Sequence, residues 1–162
     1  MRSKGFTLIE VLTVSGIMAL FSLTIISVFL ASVRGGTKAR VVQRVRQNGD
    51  FAQETMARMV RAAETVTCGA GSLTLENPDG GESVFSQVSD GGVNRVASNS
   101  SQFLTASTME ASGLTFACYQ GELGNQVVTI NFTLAIGTEA GAQVQEKASQ
   151  TFTTSVATRQ YK

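Results

Sequence analysis

From Val11 to Val33 the chain carries no charged residue. That run limits what the chain can become more than any other feature. As a helix rising 1.5 Å per residue it covers roughly 30 Å, the hydrocarbon thickness of a bilayer. Arg2 and Lys4 precede it, which predicts a cytoplasmic N-terminus and translocation of the rest of the chain. Arg34 and Lys38 come just after the run and blunt that charge asymmetry. Ala31-Ser32 imitates a secretory cleavage site, but the apolar stretch is longer than a signal-peptide core. A plain signal-anchor helix is the bland alternative. Glu10 fits it poorly, because a carboxylate in an apolar stretch is costly in lipid unless it is paired, protonated or held at headgroup level. Glu10 is therefore expected to meet a cationic partner when subunits assemble.

The residues around Glu10 are more specific. Lys4-Gly5-Phe6-Thr7-Leu8-Ile9-Glu10-Val11-Leu12 resembles the processing and assembly signal of type IV pilins and type II secretion pseudopilins. The resemblance implies cleavage by a prepilin peptidase between Gly5 and Phe6 and methylation of the new amino terminus on Phe6. It also implies that Glu10, the fifth mature residue, pairs with the amino terminus of a neighbouring subunit. A mature chain starting at Phe6 has eleven basic and twelve acidic residues, a side-chain charge of −1.

Beyond the apolar run, Gly35-Gly36 interrupts the helical pattern at a cost of about 2 kcal/mol relative to alanines. The pair marks a bend, a locally melted segment, or a loop between two helices. Helical periodicity resumes from Lys38 to about Ala63, with Val41, Val45, Ala52, Met56, Met59 and Ala63 on one stripe. Asn48 lies on that stripe and Gly49 beside it, so the stripe reads as imperfect. Between Arg34 and Glu64 there are seven basic and three acidic residues, net +4; after Glu64 there are four basic and eight acidic, net −4. A basic collar beside anionic lipid and a mildly acidic head are the expected result of that division. The basic run is diffuse and lacks stacking aromatics, so nucleic acid is not an expected partner.

After Glu64 the period becomes two. Candidate strands are Ser72–Glu76, Val84–Val88, Val93–Val96, Leu114–Cys118, Val127–Ile136 and Thr151–Thr158. Asn77-Pro78-Asp79-Gly80-Gly81 reads as a turn. In the clearest strand Val128, Ile130, Phe132, Leu134 and Ile136 share one face; in the last, Phe152 and Val156 point inward. The expected fold is α+β and pilin-like: a long N-terminal helix, membrane-spanning in its first half, packed by its second half on an antiparallel β-sheet head. The expected division is leader 1–5, transmembrane and assembly helix 6–34, amphipathic helix 35–64, and β-rich extracytoplasmic head 65–162.

The head also resembles minor pilins and pseudopilins of the PilW and type II secretion J kind. The resemblance runs through Gln47-Asn48, Phe51, Arg58, Arg61-Ala62-Ala63, Gly92-Val93-Asn94-Arg95-Val96, Leu104-Thr105, Leu114-Thr115-Phe116, Val128-Thr129-Ile130 and Thr153 to Arg159.

Histidine is absent and the two cysteines, Cys68 and Cys118, are far apart. That argues against zinc and against Ser-His-Asp or Cys-His catalysis. The cysteines form a disulfide or remain two thiols, and an extracytoplasmic head favours the disulfide. No phosphate-binding glycine motif occurs, so no nucleotide or other cofactor is expected. Asp79, Glu82 and Asp90 lie near glycines, but their spacing is not that of an EF-hand calcium loop, and solvated turn carboxylates are the plainer reading. Tyr119 and Tyr161 are candidate contact aromatics. Together these features predict a structural subunit and not an enzyme. By resemblance it is held in the cytoplasmic membrane and then joins a pilus or pseudopilus. Its partners would be other pilin or pseudopilin subunits, the prepilin peptidase, the platform protein and ATPase of the machine, and membrane lipid. The alternative is an adhesion, DNA- or ligand-binding head with the helix as an anchor.

Overall fold

In the computed structural model, residues 5–121 and 125–159 are described. The fold is α+β, with one long helix followed by antiparallel strands. Helix α1 spans Leu8–Ala62, and the strands are β1 (Thr65–Cys68), β2 (Ser72–Glu76), β3 (Glu82–Asp90), β4 (Val93–Ser98), β5 (Gln102–Phe103), β6 (Glu110–Gln120), β7 (Gln126–Ile136) and β8 (Ala148–Ala157). Gly35 and Gly36 are both helical, so the expected bend, melt or loop is replaced by continuous α-helix. The cost of two glycines is small against the hydrogen-bonded turns on either side. The chain nevertheless divides into two compact units directly after them, between Thr37 and Lys38.

The first unit, in its described part, is helix preceded by a short non-helical lead. The apolar side chains that fill it, among them Phe6, Leu12, Phe21 and Phe29, are all exposed.

The second unit is the β-rich head, with the C-terminal part of α1 as one wall of its core. The strands form two sheets, β1-β2-β3-β4-β5 and β6-β7-β8, each a simple antiparallel succession. Period-two alternation sets the inner faces: Leu73, Leu75, Phe85 and Val96 from the first sheet, and Val128, Ile130, Phe132, Leu134, Phe152 and Val156 from the second. Asp90 pairs with Val93, so only Gly91 and Gly92 connect β3 to β4. Their φ values of +60° and +87° give the doubly left-handed hairpin turn that glycine makes without steric penalty.

On the helix the buried line runs through Val45, Gly49, Ala52, Met56, Val60 and Ala63, joined by Ala57. Val41 and Met59 are half-buried. Asn48 turns its amide back to the Arg44 carbonyl at 3.1 Å. Gly49, expected beside the stripe, is on it. A Cβ there would lie 2.0 Å from Cζ of Phe152, so the ring tip rests directly on helix backbone. Phe152 in turn stacks on Phe132 of the central strand β7, with ring centroids 5.3 Å apart. Polar contacts bracket the ring: Arg46 Nε donates to Gln150 Oε1 at 3.1 Å, and Gln53 Nε2 donates to the Thr153 carbonyl at 3.2 Å. Earlier on the helix, Lys38 Nζ donates to the carbonyls of Val144 and Lys147. Helix and β8 therefore meet over about two turns, from Arg46 to Gln53, and Lys38 reaches the segment just before β8.

One side chain gathers several contacts in the glycine- and serine-rich middle of the head. Arg95 is 12% exposed and pairs with Asp90 at 2.6 Å. Its Nε donates to the Thr105 carbonyl at 3.0 Å, and its guanidinium lies 3.8 Å from the Phe103 ring centroid. Charge-assisted hydrogen bonds and a cation–π contact thus tie Asp90, Phe103 and Thr105 to one side chain.

Gly49→Ala should destabilise the head. The helix-propensity gain of about 1 kcal/mol is smaller than the overpacking cost of about 1–3 kcal/mol when a ring must be displaced. A lowered urea midpoint, partly restored by adding Phe152→Leu, is the expected result. A variant as stable as the parent would mean that the ring does not occupy this groove.

Candidate functional site

The expected processing residues precede the helix. Gly5 and Phe6 are non-helical and exposed, and a Cβ on Gly5 would meet no atom within 4 Å. Phe6 is 82% exposed. Met1 to Lys4, with the basic residues of the expected leader, lie outside the described residues, as does Tyr161.

Thr7 is the residue that sequence inspection passed over. It stands just before the helix, and its Oγ1 accepts the Glu10 amide N–H at 3.3 Å, while its carbonyl accepts the amides of Glu10 and Val11. This is N-cap geometry, and Thr-x-x-Glu is the sequence pattern that signals it. Glu10 therefore sits in the first turn, where the unpaired amides and the helix dipole favour negative charge. Its carboxylate makes no ion pair or side-chain hydrogen bond among the described residues.

The other polar side chains of the apolar run behave differently. Thr13, Ser15, Ser22, Thr24 and Ser27 each donate a hydroxyl to a carbonyl three or four residues earlier, at 2.8–3.0 Å. These hydroxyls carry their partners with them, which removes most of the penalty of placing them in hydrocarbon. The helix is long and apolar enough to cross a membrane once.

In the head, Cys68 and Cys118 are joined as a disulfide, with Cα atoms 5.9 Å apart. The bond connects β1 of one sheet to β6 of the other. Gln126 makes a second link between the sheets: its Oε1 accepts the Val66 amide at 2.9 Å. Its own amide donates to Thr158 Oγ1 at 3.1 Å, and its carbonyl accepts the Thr158 amide at 2.8 Å.

The three carboxylates weighed for calcium do not converge. Asp90 is paired to Arg95. Asp79 accepts the Gly81 amide within its turn at 3.0 Å. Glu82 opens β3, at the opposite end of the strand from Asp90. Among the described residues no three metal-ligating side chains come together. Tyr119 is 61% exposed on β6.

No protein-family model, curated protein or solved structure matches the chain.

Removing the inter-sheet bond by Cys68→Ser with Cys118→Ser should cost about 2–4 kcal/mol of head stability. Comparing urea unfolding of the oxidised and double-serine chains measures it. Thiol alkylation should label neither cysteine before reduction and both after it; labelling of the unreduced protein would contradict the bond.

Proposed function

We propose that the chain is a structural, minor subunit of a type IV filament, either a pilus or a type II secretion pseudopilus. In this reading leader 1–5 is cut after Gly5 by a prepilin peptidase, and Phe6 becomes an N-methylated amino terminus. The subunit waits in the cytoplasmic membrane with its head outside, and residues 6–34 join the stems of neighbouring subunits. A platform protein and a cytoplasmic ATPase supply the work.

The observation that carries the reading is the Lys4-to-Leu12 signal at the start of the uninterrupted apolar run. Three features of the geometry support it. A peptidase needs an accessible, non-helical peptide bond, and Gly5-Phe6 is exposed ahead of the helix cap. Assembly through a stem needs apolar side chains all round the helix and hydroxyls already satisfied within it, which is the condition of the Thr and Ser residues between Thr13 and Ser27. A carboxylate beside an apolar span is costly unless paired or held at headgroup level, and Glu10, in the first turn of the helix, has no ion-pair partner within its own described chain. An amino terminus from the next subunit would remove that cost. The unbroken apolar stem thus makes Glu10 a selector of register.

Coexpressed with a prepilin peptidase, the wild-type chain should shorten by its leader, while Gly5→Leu should stay at precursor mass. Intact-mass spectrometry reads both, and equal processing of the two would sink the cleavage assignment. Glu10→Gln keeps the size and the helix cap. It should be cleaved and inserted normally yet drop at least tenfold in the sheared filament fraction. Undiminished incorporation would remove Glu10 from the assembly role.

A further inference from the structure

Three arginines meet at the C-terminal end of α1. Arg58 and Arg61, one turn apart, lie on the same side of the helix, and Arg159 follows β8. With Ala62 they line an open pocket of about 320 Å³. The position of Arg159 is set by the strand before it: Ala157 pairs with Val127, and buried Thr158 exchanges two hydrogen bonds with Gln126. The fold thus brings arginines from opposite ends of the head sequence to the lining of one pocket.

Basic side chains in a last helical turn complement the helix dipole. That accounts for Arg58 and Arg61 but not for a third guanidinium delivered from β8. Nor does a carboxylate among the described residues neutralise the charge. Among the described residues the ion pair within 4.0 Å is Arg95–Asp90, away from this pocket. Arg61 also borders a neighbouring groove that holds Asp50 and Glu54, and neither carboxylate reaches pairing distance. Each guanidinium presents a planar fork of donors matched to paired oxygens. One carboxylate occupies one fork, whereas a tetrahedral anion offers oxygens in several directions at once.

We infer that Arg58, Arg61 and Arg159 form a binding site for a multiply charged tetrahedral oxyanion of the phosphate class. The site does not depend on the filament reading. A free phosphate and a terminal phosphate monoester on a larger molecule both present multiply charged oxygens to it.

The test uses the full chain in neutral detergent at low salt, titrated calorimetrically with inorganic phosphate and, separately, with a dinucleotide phosphodiester. Saturable phosphate binding is expected, weakened at least tenfold by Arg58→Gln and by Arg159→Gln. Arg40→Gln and Arg44→Gln remove the same charge from exposed helix positions outside the pocket and should leave affinity within twofold. Arg159→Gln lies beyond the last strand at an exposed position, so its loss of binding cannot be ascribed to misfolding if the urea midpoint is unchanged. Binding of phosphate with a silent diester identifies a free or terminal phosphate as the ligand; equal binding of the singly charged diester overturns the multiply charged class. Absence of saturable binding of either probe, full affinity in the Arg58 and Arg159 variants, or equal weakening by Arg40→Gln overturns the assignment.

Discussion

The ring of Phe152 against the bare backbone of Gly49 sets the distance at which helix and sheet can meet. A glycine at this one point lets an aromatic tip reach the helix axis more closely than any side-chain contact would. Because Phe152 is stacked on Phe132, that distance is passed to the central strand β7. Arg46 and Gln53 then hold β8 on either side of the contact. The small and pliable residues that continue the line, Ala52, Met56 and Ala63, are what a closely seated helix can accommodate. The first sheet is tied in only afterwards, through the Cys68–Cys118 bond and the Gln126 side chain.

Strong periodicity made the helix and the longer strands legible. Val127–Ile136 alternates without interruption, and of the five residues the alternation places inward Val128, Ile130, Phe132 and Leu134 are buried and Ile136 is half-buried against the core. Gly49 was misplaced because glycine gives no hydrophobic signal, although its absence of a side chain is what the packing uses. Strands β1 and β5, of four and two residues, are too short to show a period. The partition into two sheets is a matter of long-range pairing that no local window contains. Of the site residues, Gly5, Phe6 and Glu10 were readable as a motif, and Thr7 could have been read from its three-residue spacing to Glu10. Arg159 could not be joined to Arg58 and Arg61 without the register of β8.

Polarity within the apolar helix divides into two kinds. The hydroxyls between Thr13 and Ser27 close on carbonyls of their own turns. They ask nothing of a neighbour and leave the helix free to rotate or slide among apolar surroundings. The Glu10 carboxylate closes on nothing within the described chain. A surface that is indifferent almost everywhere and demanding at one position favours a single alignment with any partner that brings a positive charge.

The disulfide also determines how the head would carry tension. A pull entering from the helix passes Ala62 into β1 and reaches Cys68 after only a few residues. From there the covalent route crosses to Cys118, near the C-terminal end of β6, and passes on to β7, leaving β2 to β5 and residues 110–117 of β6 inside a closed loop off that route. With a separation of 50 residues between the bonded cysteines, roughly 170 Å of extended chain is kept from paying out under force. A covalent pull would therefore run through β1 and the disulfide into β7 and β8, with β2 to β5 off its path.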